Sequence, residues 1–129
     1  MNKDIQTLVD VRLEEIADLP RHQAQVQPLL GGVQVEVRFH NGYGLSIIRH
    51  QGAYCSMRTG APLAVDEPDF EIALIQSRRA GAEWPLVGTD DEYANPEALA
   101  LVNSWSGGGV QGWVSQADVL DTLRAVARF

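Results

Sequence analysis

Between Val33 and Arg49 the chain alternates apolar and polar residues with period two, first in one direction and then back. Val33, Val35, Val37 and Phe39 alternate with Gln34, Glu36 and Arg38, the pattern of a strand with one buried face. After the turn signal His40-Asn41-Gly42, residues Tyr43, Leu45 and Ile47 resume the alternation. A two-residue Asn-Gly loop would place Val37 opposite Ser46 and split the apolar set between two faces. A three-residue loop, with Gly42 left-handed in a bulge, pairs Val37 with Leu45 and Val35 with Ile47 and keeps one face apolar. The second register is therefore expected.

Elsewhere the periodicity changes. Ile5, Leu8, Val9, Leu13 and Ile16 fall on one helical stripe, and Pro20 closes it, which predicts a helix over Asp4–Leu19. Arg21–Gly32 reads as a Gln-rich polar connector, and His50–Pro68 as a long loop with room for a short strand at Leu63–Val65. Phe70, Ile72 and Leu74 predict a third strand, and Gly81–Ala94 reads as irregular. Asn95-Pro96-Glu97 opens a helix extending to Trp105, with Asn as cap and Pro at the first helical position. Val110–Val114 suits a short edge strand. Ser115 caps a last helix, with Asp118 as its capping-box partner and Val114 stapled onto Val119.

These elements predict a single α+β domain spanning residues 1–129. Its antiparallel sheet has three to four strands, with N- and C-terminal helices packed on one face. The expected core is Ile5, Leu8, Ile16, Val35, Val37, Leu45, Ile47, Ile72, Leu74, Leu120 and Leu123. Trp105 and Trp113, flanking apolar runs, are expected in that core, whereas Trp84 and Tyr93, set among acids, are expected to be exposed.

Composition narrows the class. A chain of 129 residues with 45% hydrophobic and 21% charged residues buries a core without disulfides or metal. Cys55 is the single cysteine, which fits a reducing compartment. The charged start Met1-Asn2-Lys3-Asp4 lacks an apolar signal region, and no run approaches the ~20 apolar residues of a membrane span. The expectation is a cytoplasmic protein with no membrane partner.

The net charge of −7 is localised. Asp66–Glu97 holds nine acids against Arg78 and Arg79, which accounts for the whole excess. Such a run often serves only as a solvated rim. Read functionally, it repels nucleic acid and favours a protein partner with a basic surface.

Catalytic and metal-ligating patterns are thin. His50 and Cys55 lie five residues apart, and Arg49 and Arg58 could supply a positive field for a thiolate. The alternative is a small apolar filler beside a strand-end histidine. Asp90-Asp91-Glu92 lacks the alternating spacing and central glycine of a calcium loop. Gly107-Gly108-Gly109-Val110-Gln111-Gly112 lacks the Gly-Lys-Ser/Thr end of a phosphate loop. Asn103-Ser104-Trp105 resembles the run around the orienting asparagine of papain-like cysteine proteases, but all three histidines precede Cys55, which breaks that family's order. No cofactor or metal is called for. Large aromatic rings dominate interface energies, so the candidate binding residues are Trp84, Asp90, Asp91, Glu92, Tyr93 and Tyr54.

Asn41-Gly42-Tyr43-Gly44-Leu45-Ser46-Ile47-Ile48-Arg49-His50 is similar to a hairpin of small uncharacterised proteins from phages of high-GC bacteria. Gly52-Ala53-Tyr54, the Phe70–Ile75 strand, Asp90-Asp91 and Gly112-Trp113-Val114-Ser115 match further features of that group. This chain departs from it by inserting the Pro96–Trp105 helix before Gly112. The resemblance implies a non-enzymatic phage or prophage accessory protein that binds another protein. Inhibition of a host defence or metabolic system is one form such binding takes, and the host cytoplasm would be its location. The alternatives are a homo-oligomeric virion or assembly component using an exposed edge strand, and then a small enzyme built on His50 and Cys55.

Overall fold

A computed structural model describes residues 22–29, 32–50, 70–78, 83–105 and 107–129. The expected Asp4–Leu19 helix, with Ile5, Leu8 and Ile16, lies outside them, as do Leu63–Val65, Tyr54 and Cys55.

The hairpin forms in the expected register. Strand β2 (Gly32–Phe39) pairs antiparallel with β3 (Tyr43–Arg49), Val37 opposite Leu45 and Val35 opposite Ile47. Gly42 takes φ +90° at the turn, where its N–H donates to the Phe39 carbonyl at 3.2 Å. A left-handed residue at this point lets three loop residues match the twist of the strands. Gly44 has a different reason to be glycine: a Cβ there would stand 2.3 Å from the Val37 carbonyl oxygen.

The segment read as a polar connector is instead a strand, β1 (His22–Leu29), paired with β2 over its whole length from His22↔Phe39 to Leu29↔Gly32. Its glutamine-rich sequence hid it, because an edge strand draws its stability from backbone bonds to one neighbour. Pro28 is tolerated on an edge for the same reason. Strand β4 (Phe70–Gln76) pairs with β3, Leu45 opposite Leu74 and Ile47 opposite Ile72. Strand β5 (Val110–Val114) adds the far edge, as expected, giving a five-stranded antiparallel sheet in chain order.

Part of the stretch read as irregular is also paired. Residues 83–87 run antiparallel to the second half of β4, with Arg78↔Glu83 and Ile75↔Leu86 bridges and Val87 N–H donating to the Leu74 carbonyl at 2.9 Å. Strand β5 covers the first half, with Ala73 opposite Val110. The outer neighbour of β4 is thus a composite strand, 83–87 followed by 110–114. Residues 88–109 make an excursion from the middle of it.

That excursion carries α1 (Pro96–Asn103), capped by Asn95, whose side chain accepts from Ala98 N–H at 2.8 Å. Helix α2 (Gln116–Val126) begins at Ser115, which accepts from Asp118 N–H at 3.2 Å, and contacts β3 and β4. Its Val119, Leu120, Leu123 and Val126 close over Val35, Val37, Leu45, Ile47, Phe70, Ile72 and Leu74, joined by Ala98 and Val102 of α1 and by Val87. Burial of each such aliphatic side chain contributes about 1.5–3 kcal/mol. Val114 and Val119 are both buried, consistent with the staple.

The tryptophans differ from expectation. Trp105 is half-buried against the core, but Trp113 is 44% exposed. Phe70 opposes Val114 and Ile72 opposes Gln111, so Gly112 and Trp113 together face Glu71 in a bulge. Trp113 has φ +56° there, and a bulge re-aims the side chain that alternation would have sent inward.

Candidate functional site

At the end of β4, Gln76 and the following Ser77 and Arg78 border the excursion. The Arg78 guanidinium donates to the Gln76 side-chain oxygen at 2.8 Å and to Asp91 Oδ2 at 2.7 Å. Its centre lies 4.8 Å from the Tyr93 ring centroid, within cation–π range. Asp91 Oδ1 accepts from Tyr93 N–H at 2.9 Å, and the Gln76 amide donates to the Tyr93 carbonyl at 3.0 Å. Asp91 thus binds its own turn with one oxygen and β4 with the other. With the Arg78 and Asp91 side chains only 18% and 14% exposed, this ion pair is shielded from water and holds the turn in place.

Further ties position the excursion. Tyr43 Oη accepts from Asn95 N–H at 2.9 Å, linking the β2–β3 hairpin to the cap of α1. The Tyr43 ring meets Phe129 edge-on at 5.5 Å. The Asn103 amide donates to the Thr89 carbonyl at 2.9 Å, closing the base of the loop. Asn41 donates to the Val126 carbonyl at 3.0 Å and accepts from Tyr43 N–H at 2.9 Å, so the turn also receives the end of α2.

The outcome is an open depression of about 600 Å³ lined by Gln76, Ser77, Arg78, Glu83 and Tyr93. Tyr93 is 68% exposed at its rim, and Asp90 and Glu92 on either side of Asp91 are exposed. The structure therefore brings Asp90, Asp91, Glu92 and Tyr93 together but gives them unequal roles. Asp91 is committed to Arg78, while Asp90 and Glu92 face solvent.

Trp84 is set apart from this group. It is half-buried, with the Arg38 guanidinium 5.1 Å from its ring. Arg38 also pairs with Glu36, and both alternate with Val35, Val37 and Phe39, so Trp84 sits against the polar face of β2. Arg78 follows Leu74 and Gln76 in the opposite phase. Sequence reasoning missed Arg78 and Gln76 as organisers of the turn, since their partners are 13 to 17 residues away. It also passed over Leu86, 59% exposed on the composite strand.

Among the described residues no group of three His, Cys, Asp or Glu side chains could hold a metal ion. His50 is buried at the end of β3, at 7% exposure, and any meeting with Cys55 falls outside the described residues. No helix among the described residues is long and apolar enough to cross a membrane. Compared with protein-family models, with curated proteins and with solved structures, the chain matches none.

Proposed function

We propose that this chain is a protein-binding accessory protein, of the phage or prophage kind its hairpin resembles. It would dock on a basic partner surface through the Asp90–Tyr93 turn and so block a host defence or metabolic activity. The observation that supports this reading is Tyr93, an aromatic ring 68% exposed yet tied to β4 through Arg78 and Gln76, on a turn that also carries the exposed carboxylates of Asp90 and Glu92. A ring held in place before binding loses little conformational freedom on docking, which makes it a suitable anchor. Asp90 and Glu92 would steer a cationic surface toward it, and a partner Lys or Arg could stack on the ring.

The test begins with affinity capture from a bacterial lysate and continues with binding kinetics on the captured protein. Asp90→Asn with Glu92→Gln should lower the association rate, and added salt should do the same as the Debye length falls below ~10 Å. Tyr93→Ala should raise the dissociation rate instead. Asp91 stays native in this experiment because its loss would disturb the turn itself. An association rate indifferent to salt and to the paired substitutions would reduce the acidic segment to a solubilising rim.

A further inference from the structure

The two edges of the sheet are built differently. The composite strand beside β4 carries Glu83, Pro85 and the Gly112–Trp113 bulge, all features that discourage a further strand from pairing there. Strand β1 has eight residues, pairs with β2 without a register break, and contains no Asp, Glu, Lys or Arg. Among the described residues it has one neighbour, β2.

We infer that β1 is the seam of a two-fold homodimer, in which the β1 strands of two copies pair antiparallel and join their sheets. Three observations converge on a second copy as the occupant. First, β1 carries no Asp, Glu, Lys or Arg, so two copies of a chain of net charge −7 can meet along it without setting like charges on the seam. Second, the strand is self-complementary about Gln25. A two-fold axis there sets Gln25 against Gln25 of the partner copy and position 27 against position 23, itself glutamine. Residues of like parity then meet at every step, so each face of one sheet continues as the same face of the other. Pro28 falls in the outermost pair of this register.

Third, a ladder of side-chain hydrogen bonds already runs across the polar face toward the seam. Gln34 donates to Ser46 Oγ at 2.9 Å, and Gln27 in turn donates to Gln34. Gln25 and Gln27 are exposed where the ladder reaches the edge. A primary amide both donates and accepts, so a glutamine pairs with its own copy, which a carboxylate or ammonium group does not. The seam lies at the opposite edge of the sheet from Arg78 and Tyr93, and dimerisation leaves both copies of that turn outward.

The experiment is the molar mass of the full chain by light scattering and sedimentation across micromolar to millimolar concentrations. The expected result is a concentration-dependent shift from 14.1 kDa toward twice that mass. Gln25→Lys and Gln25→Glu each place like charges face to face on the axis and should raise the dissociation constant by about fivefold or more. Mixed in equal amounts, the two variants should dimerise again, because the charges are then opposite. Both change an exposed side chain, so unchanged melting curves will show that each still folds. Three outcomes would overturn the inference: a wild-type chain that stays monomeric, a Gln25→Lys dimer as tight as wild type, or a mixture that fails to recover. Tyr93→Ala should leave the mass unchanged, which separates this result from the fate of the partner-binding reading.

Discussion

Replacing Arg78 with alanine removes three interactions at once, and their sum can be worked from the geometry. The charge-assisted bond to Asp91, at 2.7 Å, is of a kind that contributes about 1.5–3 kcal/mol. The bond to Gln76 and the contact with the Tyr93 ring each contribute about 0.5–1.5 kcal/mol. The ion pair is 18% and 14% exposed, so water replaces part of what is lost, and the terms overlap. A net cost of about 2–4 kcal/mol follows, above the ~0–1 kcal/mol of a surface pair and short of the ~3–5 kcal/mol for breaking a fully buried one. At about 4 °C per kcal/mol for a domain of this size, the melting temperature should fall by roughly 8–16 °C. Urea denaturation of the wild type, Arg78→Ala, Asp91→Asn and the double variant isolates the pair, with an expected coupling of about 1–2 kcal/mol. A coupling below ~0.5 kcal/mol would mean that the pair behaves as a solvated surface contact. Arg78 would then not be what holds the Asp90–Tyr93 turn against β4.

Other predictions concern the scaffold. Val37→Asp puts an unpaired charge at a position 2% exposed, which costs several kcal/mol; circular dichroism should show an unfolded chain, and a wild-type melting curve would contradict the assigned register. Gly44→Ala brings a Cβ to 2.3 Å from a backbone oxygen and should cost about 1–3 kcal/mol in a denaturant titration, as overpacking does. Asn41→Ala leaves the Val126 carbonyl and the Tyr43 N–H without this partner and should cost about 1–3 kcal/mol, read as a lower melting temperature.

Much of this fold is local information, and local information is legible. The β2–β3 register follows from the alternation of Val35, Val37, Leu45 and Ile47 together with Gly42, because a one-residue slip would turn every apolar side chain to water. The caps at Asn95 and Ser115 follow from residues within three positions of each helix start. For the same reason eight of the expected core residues, from Val35 to Leu123, are buried. The acidic turn, too, could be placed between a strand and a helix by composition alone.

What depended on tertiary structure involves partners far away in the chain. Strand β1 is invisible to hydrophobic periodicity because it exists by pairing with β2, and backbone hydrogen bonds carry no sequence signature. Residues 83–87 became strand-like only because the second half of β4 offered them unpaired backbone, and β5 took the first half. Trp113 left the core through a bulge, a count of residues between pairings that alternation cannot express. In Asp90-Asp91-Glu92, three similar side chains received different roles because Arg78, 13 residues before Asp91, reaches the middle one alone. The sequence determined which faces are apolar and where helices begin. The fold decided which charges are neutralised and which ring stays in solvent, since each depends on distances that exist only once the sheet has formed.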